Sequence, residues 1–238
     1  MHKSLEKCGC GIIKQVFSEQ QCLSFIEDLE LAMSAMPDGS IKTGSGAYLG
    51  GRNLLTWWDG CLGIARHATI NTFVIHILGS SAGLVRALYF DKPPGHGWSL
   101  PMHRDMTIAV ADHCYPPAPF SKPTTKSGIP HVEATWQVLS GMLTLRLHLD
   151  PMTKENGPMV VIPQSHRDDL EENSTHARIV DCDAGDLFVM RPLLLHGSRA
   201  ADGDTQLHRR VIHLEFAPSL ELPEQYEWYQ FLPVDNSQ

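Results

Sequence analysis

The chain has 238 residues, 42% of them hydrophobic and 19% charged, an ordinary balance for a globular protein with a sizeable core. Its formal net charge is −8, and an acidic chain without a basic stripe argues against a nucleic-acid partner. No apolar run approaches the roughly 20 residues that span a bilayer, so no membrane partner is expected. The N-terminal "MHKSLEKCGCGIIKQVF" has an apolar stretch too short for a secretory signal, broken by Lys14 and Gln15.

Six scattered cysteines, Cys8, Cys10, Cys22, Cys61, Cys114 and Cys182, read as free thiols in a reducing compartment. Cys8-Gly-Cys10 has no matching second pair, so a zinc site is not expected. Together these features predict a cytoplasmic protein.

Residues 18–36 read as a helix. Ser18 and Gln21 form a capping box, Cys22, Phe25, Leu29 and Ala32 recur at helical spacing, and Pro37-Asp38-Gly39 ends it. Residues 43–52, "TGSGAYLGGR", read as a flexible loop, because no strand–Gly–helix unit or GK[ST] accompanies the glycines. Residues 61–78 read as a second helix covering a sheet.

From residue 83 the texture changes to short β-rich runs punctuated by Pro, Gly and Asp: 83–90, 106–111, 142–150, 158–163, 177–183, 186–190, 193–198 and 209–217. This density suggests a sandwich or jelly roll rather than βαβ units. Asn156-Gly157 is a hairpin signal, and "DAGD" at 183–186 is a second turn. The insert 112–130 is rich in Pro, Ser and Thr and reads as irregular, either a substrate loop or a tolerated insertion.

A histidine followed two residues later by an acid occurs four times: His103/Asp105, His131/Glu133, His148/Asp150 and His213/Glu215. On a strand such residues share a face about 7 Å apart, so both can approach one metal ion. Two histidines with one carboxylate form the facial ligand set of non-haem Fe(II) oxygenases. His148/Asp150 ends an apparently half-polar strand, with Asp150 paired to Arg146 or capping the turn at Pro151. His131/Glu133 reads as the opening of a short helix, where the side chains diverge. His213/Glu215 lies on the last strand with no third ligand downstream. His103/Asp105 enters a strand and has an available third ligand, His196 in "RPLLLHGSR". His103-Arg104-Asp105 also spells the kinase motif HRD, but the required asparagine is replaced by Val110.

Read in order, "MHRD" (102–105), "LHLDPMTKENGPMVVIPQSHR" (147–167), "DAGDLFVMRPLLLHGS" (183–198) and "RRVIHLEF" (209–216) resemble the phytanoyl-CoA dioxygenase family of Fe(II)- and 2-oxoglutarate-dependent oxygenases. Gln164 stands where glycine is usual in that family. The resemblance covers about residues 83–217. It implies a mainly β fold with flanking helices, a double-stranded β-helix or cupin-like jelly-roll barrel. Residues 1–238 are then one domain, with helices at about 18–78 packing on a core at about 83–217.

The resemblance further implies that His103, Asp105 and His196 are the catalytic metal ligands, with Fe(II) as the metal and 2-oxoglutarate and O2 as cosubstrates. It implies an arginine on the last strand and Ser198 for the remote carboxylate of 2-oxoglutarate. Family spacing from Phe216 favours Arg209. Alternation favours Arg210 if the barrel interior is the more apolar face, since Arg210 shares a face with Ile212, Leu214 and Phe216. Arg209 is the expected anchor. The implied reaction hydroxylates an unactivated C–H bond of a small organic metabolite and releases succinate and CO2. The presence of Asp105 favours hydroxylation over halogenation.

Thr107 could line the pocket or merely form strand. Arg86 is expected in a structural salt bridge, Trp136 in the core and His166 in a turn. The alternatives are a cupin-type metalloenzyme not using 2-oxoglutarate and a non-catalytic ligand-binding barrel.

Overall fold

The computed structural model describes residues 2–36, 39–44, 46–114, 116–167 and 176–235. After a short helix α1 (His2–Cys8) and strand β1 (Cys10–Ile13), α2 (Glu19–Ala35) begins at the expected capping box. Ser18 Oγ accepts from Gln21 N–H, and the Gln21 side chain accepts from Ser18 N–H. The buried face is Cys22, Ile26, Leu29 and Met33, while Phe25 and Ala32 pack at its edge. Met36 closes the helix; Pro37 and Asp38 lie outside the described residues.

The glycine-rich stretch is not a plain loop: β2 (Ser40–Lys42) and β3 (Tyr48–Gly51) pair as a hairpin. A Cβ on Gly50 would lie 2.5 Å from the Tyr89 carbonyl oxygen, so glycine there allows β3 to approach the neighbouring strand. The second helix is two, α3 (Gly60–Ala65) and α4 (Ala68–Leu78), because His67 takes an extended conformation between them.

The remaining elements are β4 (Gly83–Asp91), β5 (Leu100–His103), β6 (Thr107–Ala109), β7 (Ser121–Lys126), β8 (Ile129–Glu133), α5 (Trp136–Gly141), β9 (Leu143–His148), β10 (Met159–Val161), β11 (Arg178–Ile179), β12 (Leu187–Met190), β13 (His196–Ser198), β14 (Arg210–Ala217) and β15 (Leu232–Pro233). The large sheet runs β1-β12-β9-β14-β4-β3-β2, with β15 also on β4. A second sheet runs β11-β10-β13-β5, and a third runs β6-β8-β7.

Part of the insert therefore forms structure. β7 and β8 pair around Ser127 and Gly128, both at positive φ, the backbone required by a tight primed hairpin turn. His131 and Glu133 consequently lie on a strand, not a helix. The Asn156-Gly157 turn is not a hairpin either, since β9 and β10 belong to different sheets. Asn156 fixes this crossover: its amide donates to Pro151 O and His208 O, and its Oδ1 accepts from Thr153 N–H.

The large sheet is buried on both faces. Leu143, Leu145, Leu147, Ile212, Leu214 and Phe216 pack in one cluster with α2, α3 and α4. The alternate residues, among them Arg146, His148, Val211, His213 and Glu215, are buried on the opposite face. β9 is thus not half-polar toward solvent, because its polar side faces the barrel interior. Asp150 pairs with Arg210, not Arg146. The six cysteines are free, as expected. Among the described residues no helix is long and apolar enough to cross a membrane.

The turn before β12 is anchored by Asp186, which is fully buried and accepts from Lys14 Nζ, Gln15 N–H and Asp183 N–H at 2.7, 2.9 and 2.8 Å. Asp186→Ala would orphan these donors, and a loss of about 3 kcal/mol is expected, measured by urea denaturation. An unchanged midpoint would show that the turn does not depend on this carboxylate.

Candidate metal centre and active-site cavity

The expected ligands converge. β13 and β5 pair antiparallel with His196 opposite His103, which brings the ring centroids to 4.4 Å. Asp105 follows β5, its N–H bonded to Pro192 O. Its Oδ1 lies 3.6 Å from His103 Nε2 and its Oδ2 lies 3.7 Å from His196 Nε2. The donor atoms of the three residues fall within 4.8 Å of one another, and the group could hold a metal ion.

The imidazoles are pre-oriented for this role. His103 Nδ1 contacts Pro101 O and His196 Nδ1 contacts Leu194 O, each at 2.9 Å. A carbonyl only accepts, so each Nδ1 carries the proton and each Nε2 keeps a lone pair facing Asp105. Burial alone would raise the Asp105 carboxyl. His196, His103 and His213 outweigh it and hold the group well below the usual carboxylate range. Burial lowers His196 to about 4. Asp105 Oδ2 is buried without a hydrogen-bond partner among the described residues, as a metal-ligating oxygen would be. Arg104 turns away, donating to Leu193 O and Ser165 O and lying over the Trp136 ring.

The triad opens into a cavity of about 380 Å3 between the two larger sheets, also lined by Ser198 and Arg209. Arg209 is 4% exposed. One guanidinium nitrogen donates to Gly157 O at 2.7 Å, while Nε is buried without a partner among the described residues. Arg210 points away, held by Asp150 through paired bonds of 2.8 and 2.7 Å. The alternation argument for Arg210 fails because the more apolar face of β14 lies under the helices. The barrel interior is the more polar face.

Several residues in or beside the cavity were not anticipated. Arg146 donates to His213 Nδ1 at 3.1 Å, and His213 Nε2 lies 2.9 Å from Glu215 Oε1. Arginine is donor-only, so His213 accepts at Nδ1 and donates from Nε2. Glu215 also pairs with Arg86, the structural salt bridge expected of that arginine. Lys92, 1% exposed, donates to Ser198 Oγ at 2.9 Å and Arg199 O at 2.7 Å. Burial, then Arg209 and Arg146, lower its ammonium to about 7. The inward face of β9 and β14 carried the sequence signal for Arg146 and His213. Lys92 sits at the end of β4 before Pro93-Pro94 and gave none.

Of the other histidine–acid pairs, His131 is buried with Nδ1 on Ile129 O, and both ring nitrogens of His148 are buried without partners among the described residues. His166 lies against Gly9, apart from the triad. Thr107 accepts from Lys126 Nζ at 3.0 Å. Trp136 packs at the edge of the second core cluster.

Asp105→Ala removes one donor of three. Calorimetric Co(II) affinity is expected to fall at least about tenfold, while Arg104→Ala leaves it unchanged. Equal losses in both variants would contradict the assignment of the donors.

Comparison with known proteins agrees with this architecture. A family model described as phytanoyl-CoA dioxygenase matches residues 5–211, whereas no curated protein matches. EctD from S. alaskensis with bound Fe superposes with TM-score 0.68 at 16% identity, covering 92–93% of this chain across its two structures and 80% of the iron-bound one. SnoK, a non-heme alpha ketoglutarate dependent carbocyclase from nogalamycin biosynthesis, gives 0.66 at 16% identity, covering 92% of this chain and 83% of its own. HygX from Streptomyces hygroscopicus, with nickel and 2-oxoglutarate bound, gives 0.62 at 13%, covering 92% and 87%. These likenesses show the jelly-roll fold, and the match over most of the sequence shows that the chain belongs to the phytanoyl-CoA dioxygenase family.

Proposed function

We propose that the protein is a non-haem Fe(II)- and 2-oxoglutarate-dependent dioxygenase that hydroxylates an unactivated C–H bond of a small organic metabolite. The observation that carries this reading is one cavity holding both the His103/Asp105/His196 cluster and the buried, incompletely bonded guanidinium of Arg209. The donor set suits Fe(II). When bound there, Fe(II) with 2-oxoglutarate supplies the activation of O2, coupled to release of succinate and CO2.

The chain's own residues bind and orient. His103 and His196 present Nε2 and Asp105 its carboxylate. Arg209 takes the remote carboxylate of 2-oxoglutarate, where a planar fork matches it bidentately. Burial and the neighbouring Arg146 press against the charge on Arg209; a guanidinium keeps its proton in a protein, so an incoming anion relieves that cost. Ser198 Oγ accepts from Lys92, which leaves its own O–H free to donate to the same carboxylate. The apolar walls exclude water from the reacting region.

The cavity volume lies near the lower end for ligand pockets, which favours a small metabolite as the reacting part. A carboxylate at position 105 supports hydroxylation over halogenation. EctD has been crystallised with 2-oxoglutarate and 5-hydroxyectoine, an outcome of the same type; SnoK is named for carbocyclisation, so fold alone does not choose the reaction. One core cluster joins residues from Leu5 to Val234, which supports a single domain. The free cysteines and the net charge of −8 support a cytoplasmic protein without a nucleic-acid partner.

Anaerobic Fe(II) with 2-oxoglutarate is expected to give the visible charge-transfer band of the chelate. Arg209→Ala should weaken 2-oxoglutarate binding by about tenfold or more with metal affinity retained, and Arg210→Ala should not. No band in the wild type, or a loss confined to Arg210→Ala, would contradict the reading.

A further inference from the structure

Arg86 lines the end of the cavity away from Arg209, and two further cations, Arg52 and Lys126, lie near it outside the cavity lining. Positions 209 and 215 are separated by about 20 Å of strand, and His213, opposite Arg146 on β9, lies between them. At the Glu215 end Arg86 lines the cavity, with its Nε buried and unpartnered among the described residues. Lys126 lies close by, its ammonium on Thr107, two positions beyond Asp105. Arg52 follows Gly51, which pairs with Tyr89 on β4, and Asn53 beside it donates to Ser127 O on the β7–β8 turn. The guanidinium of Arg52 has no hydrogen-bond acceptor among the described residues.

The charges at this end do not balance. Among the described residues, the carboxylate paired at this end is Glu215, and it already serves Arg86 and His213. Glu133 is occupied by Lys122 at 2.6 Å, and Asp105 belongs to the triad. Burial lowers both Arg52 and Lys126, and Arg86 adds repulsion to each. The cavity is also lined by apolar Leu88, Phe90, Leu49 and Ile41, with Leu88 opposite His213 and two positions along β4 from Arg86.

We propose that Arg86, Arg52 and Lys126 form the docking site for an oxyanion, a carboxylate or phosphate, at one end of a small and otherwise apolar substrate. The orientation rests on the oxygenase reading: 2-oxoglutarate takes the Arg209 end, so an anion held at the Arg86 end lays the substrate body along Leu88 and Phe90 toward the metal. Guanidinium forks and an ammonium suit either oxyanion.

The test titrates the Zn(II)- and 2-oxoglutarate-loaded protein with phenylacetate, phenyl phosphate and the neutral phenylacetamide, read by calorimetry. At least one anion is expected to bind about tenfold or more tightly than the amide, and the tighter of the two identifies the oxyanion. In the Arg52→Gln/Lys126→Gln double variant that preference should collapse while amide affinity stays. Both side chains are half-exposed, and retention of the Fe(II)–2-oxoglutarate band in the variant checks its fold. Equal binding of all three probes, binding of none, or a preference that survives in the double variant overturns the proposal. A missing band in the wild type would instead overturn the oxygenase reading, independently of the anion result.

Discussion

The antiparallel pairing of His196 with His103 across β13 and β5 is the contact on which the site depends. It places two imidazoles side by side, tilted to each other, from segments far apart in sequence. The carbonyls of Pro101 and Leu194 then fix both rings through Nδ1. Asp105 is brought in by its backbone bond to Pro192, on the segment leading into β13. A register slip of one residue would turn one imidazole to the other face of the sheet. The candidate metal site is therefore a property of strand pairing first and of residue type second.

Charge organises the rest of the cavity. Arg209 and the nearby Lys92 are buried at one end, Arg146 lies midway opposite His213, and Arg86 lines the other end with Arg52 and Lys126 near it. The Arg146–His213–Glu215–Arg86 chain runs from the middle of the inner face of the large sheet to the Arg86 end. Buried charges are costly unless paired, and the described lining of the cavity has three arginines, Arg86, Arg146 and Arg209, against the carboxylates of Asp105 and Glu215. Under the proposed function anionic ligands would complement this charge, a dicarboxylic cosubstrate at one end and an anionic substrate group at the other.

Much of this was legible in the sequence where local rules act alone. The Ser18–Gln21 box marked α2 to the residue, and the β-rich runs located most of the barrel strands. Their order, with "MHRD", "NGPMVVIPQSH" and "LLLHGS", carried the resemblance to the family. The rest was hidden by burial on two faces. Leucine alternation in β9 reads as a solvent-facing polar side, yet helices cover the leucines and the polar side lines the cavity. The same inversion misdirected the alternation argument for Arg210. The β7–β8 hairpin escaped because Ser121–Thr125 is exposed and has no apolar pattern; Ser127-Gly128 was its one local signal. Lys92 was invisible because its partners, Ser198 and Arg199, are brought to it only by the fold.

The most direct measurement is anomalous diffraction at the iron edge from crystals grown anaerobically with Fe(II) and 2-oxoglutarate. The expected map has one iron peak bounded by His103 Nε2, His196 Nε2 and the Asp105 carboxylate, with the remote carboxylate of 2-oxoglutarate on Arg209. Iron held elsewhere, or a cosubstrate whose remote carboxylate avoids Arg209, would contradict the account.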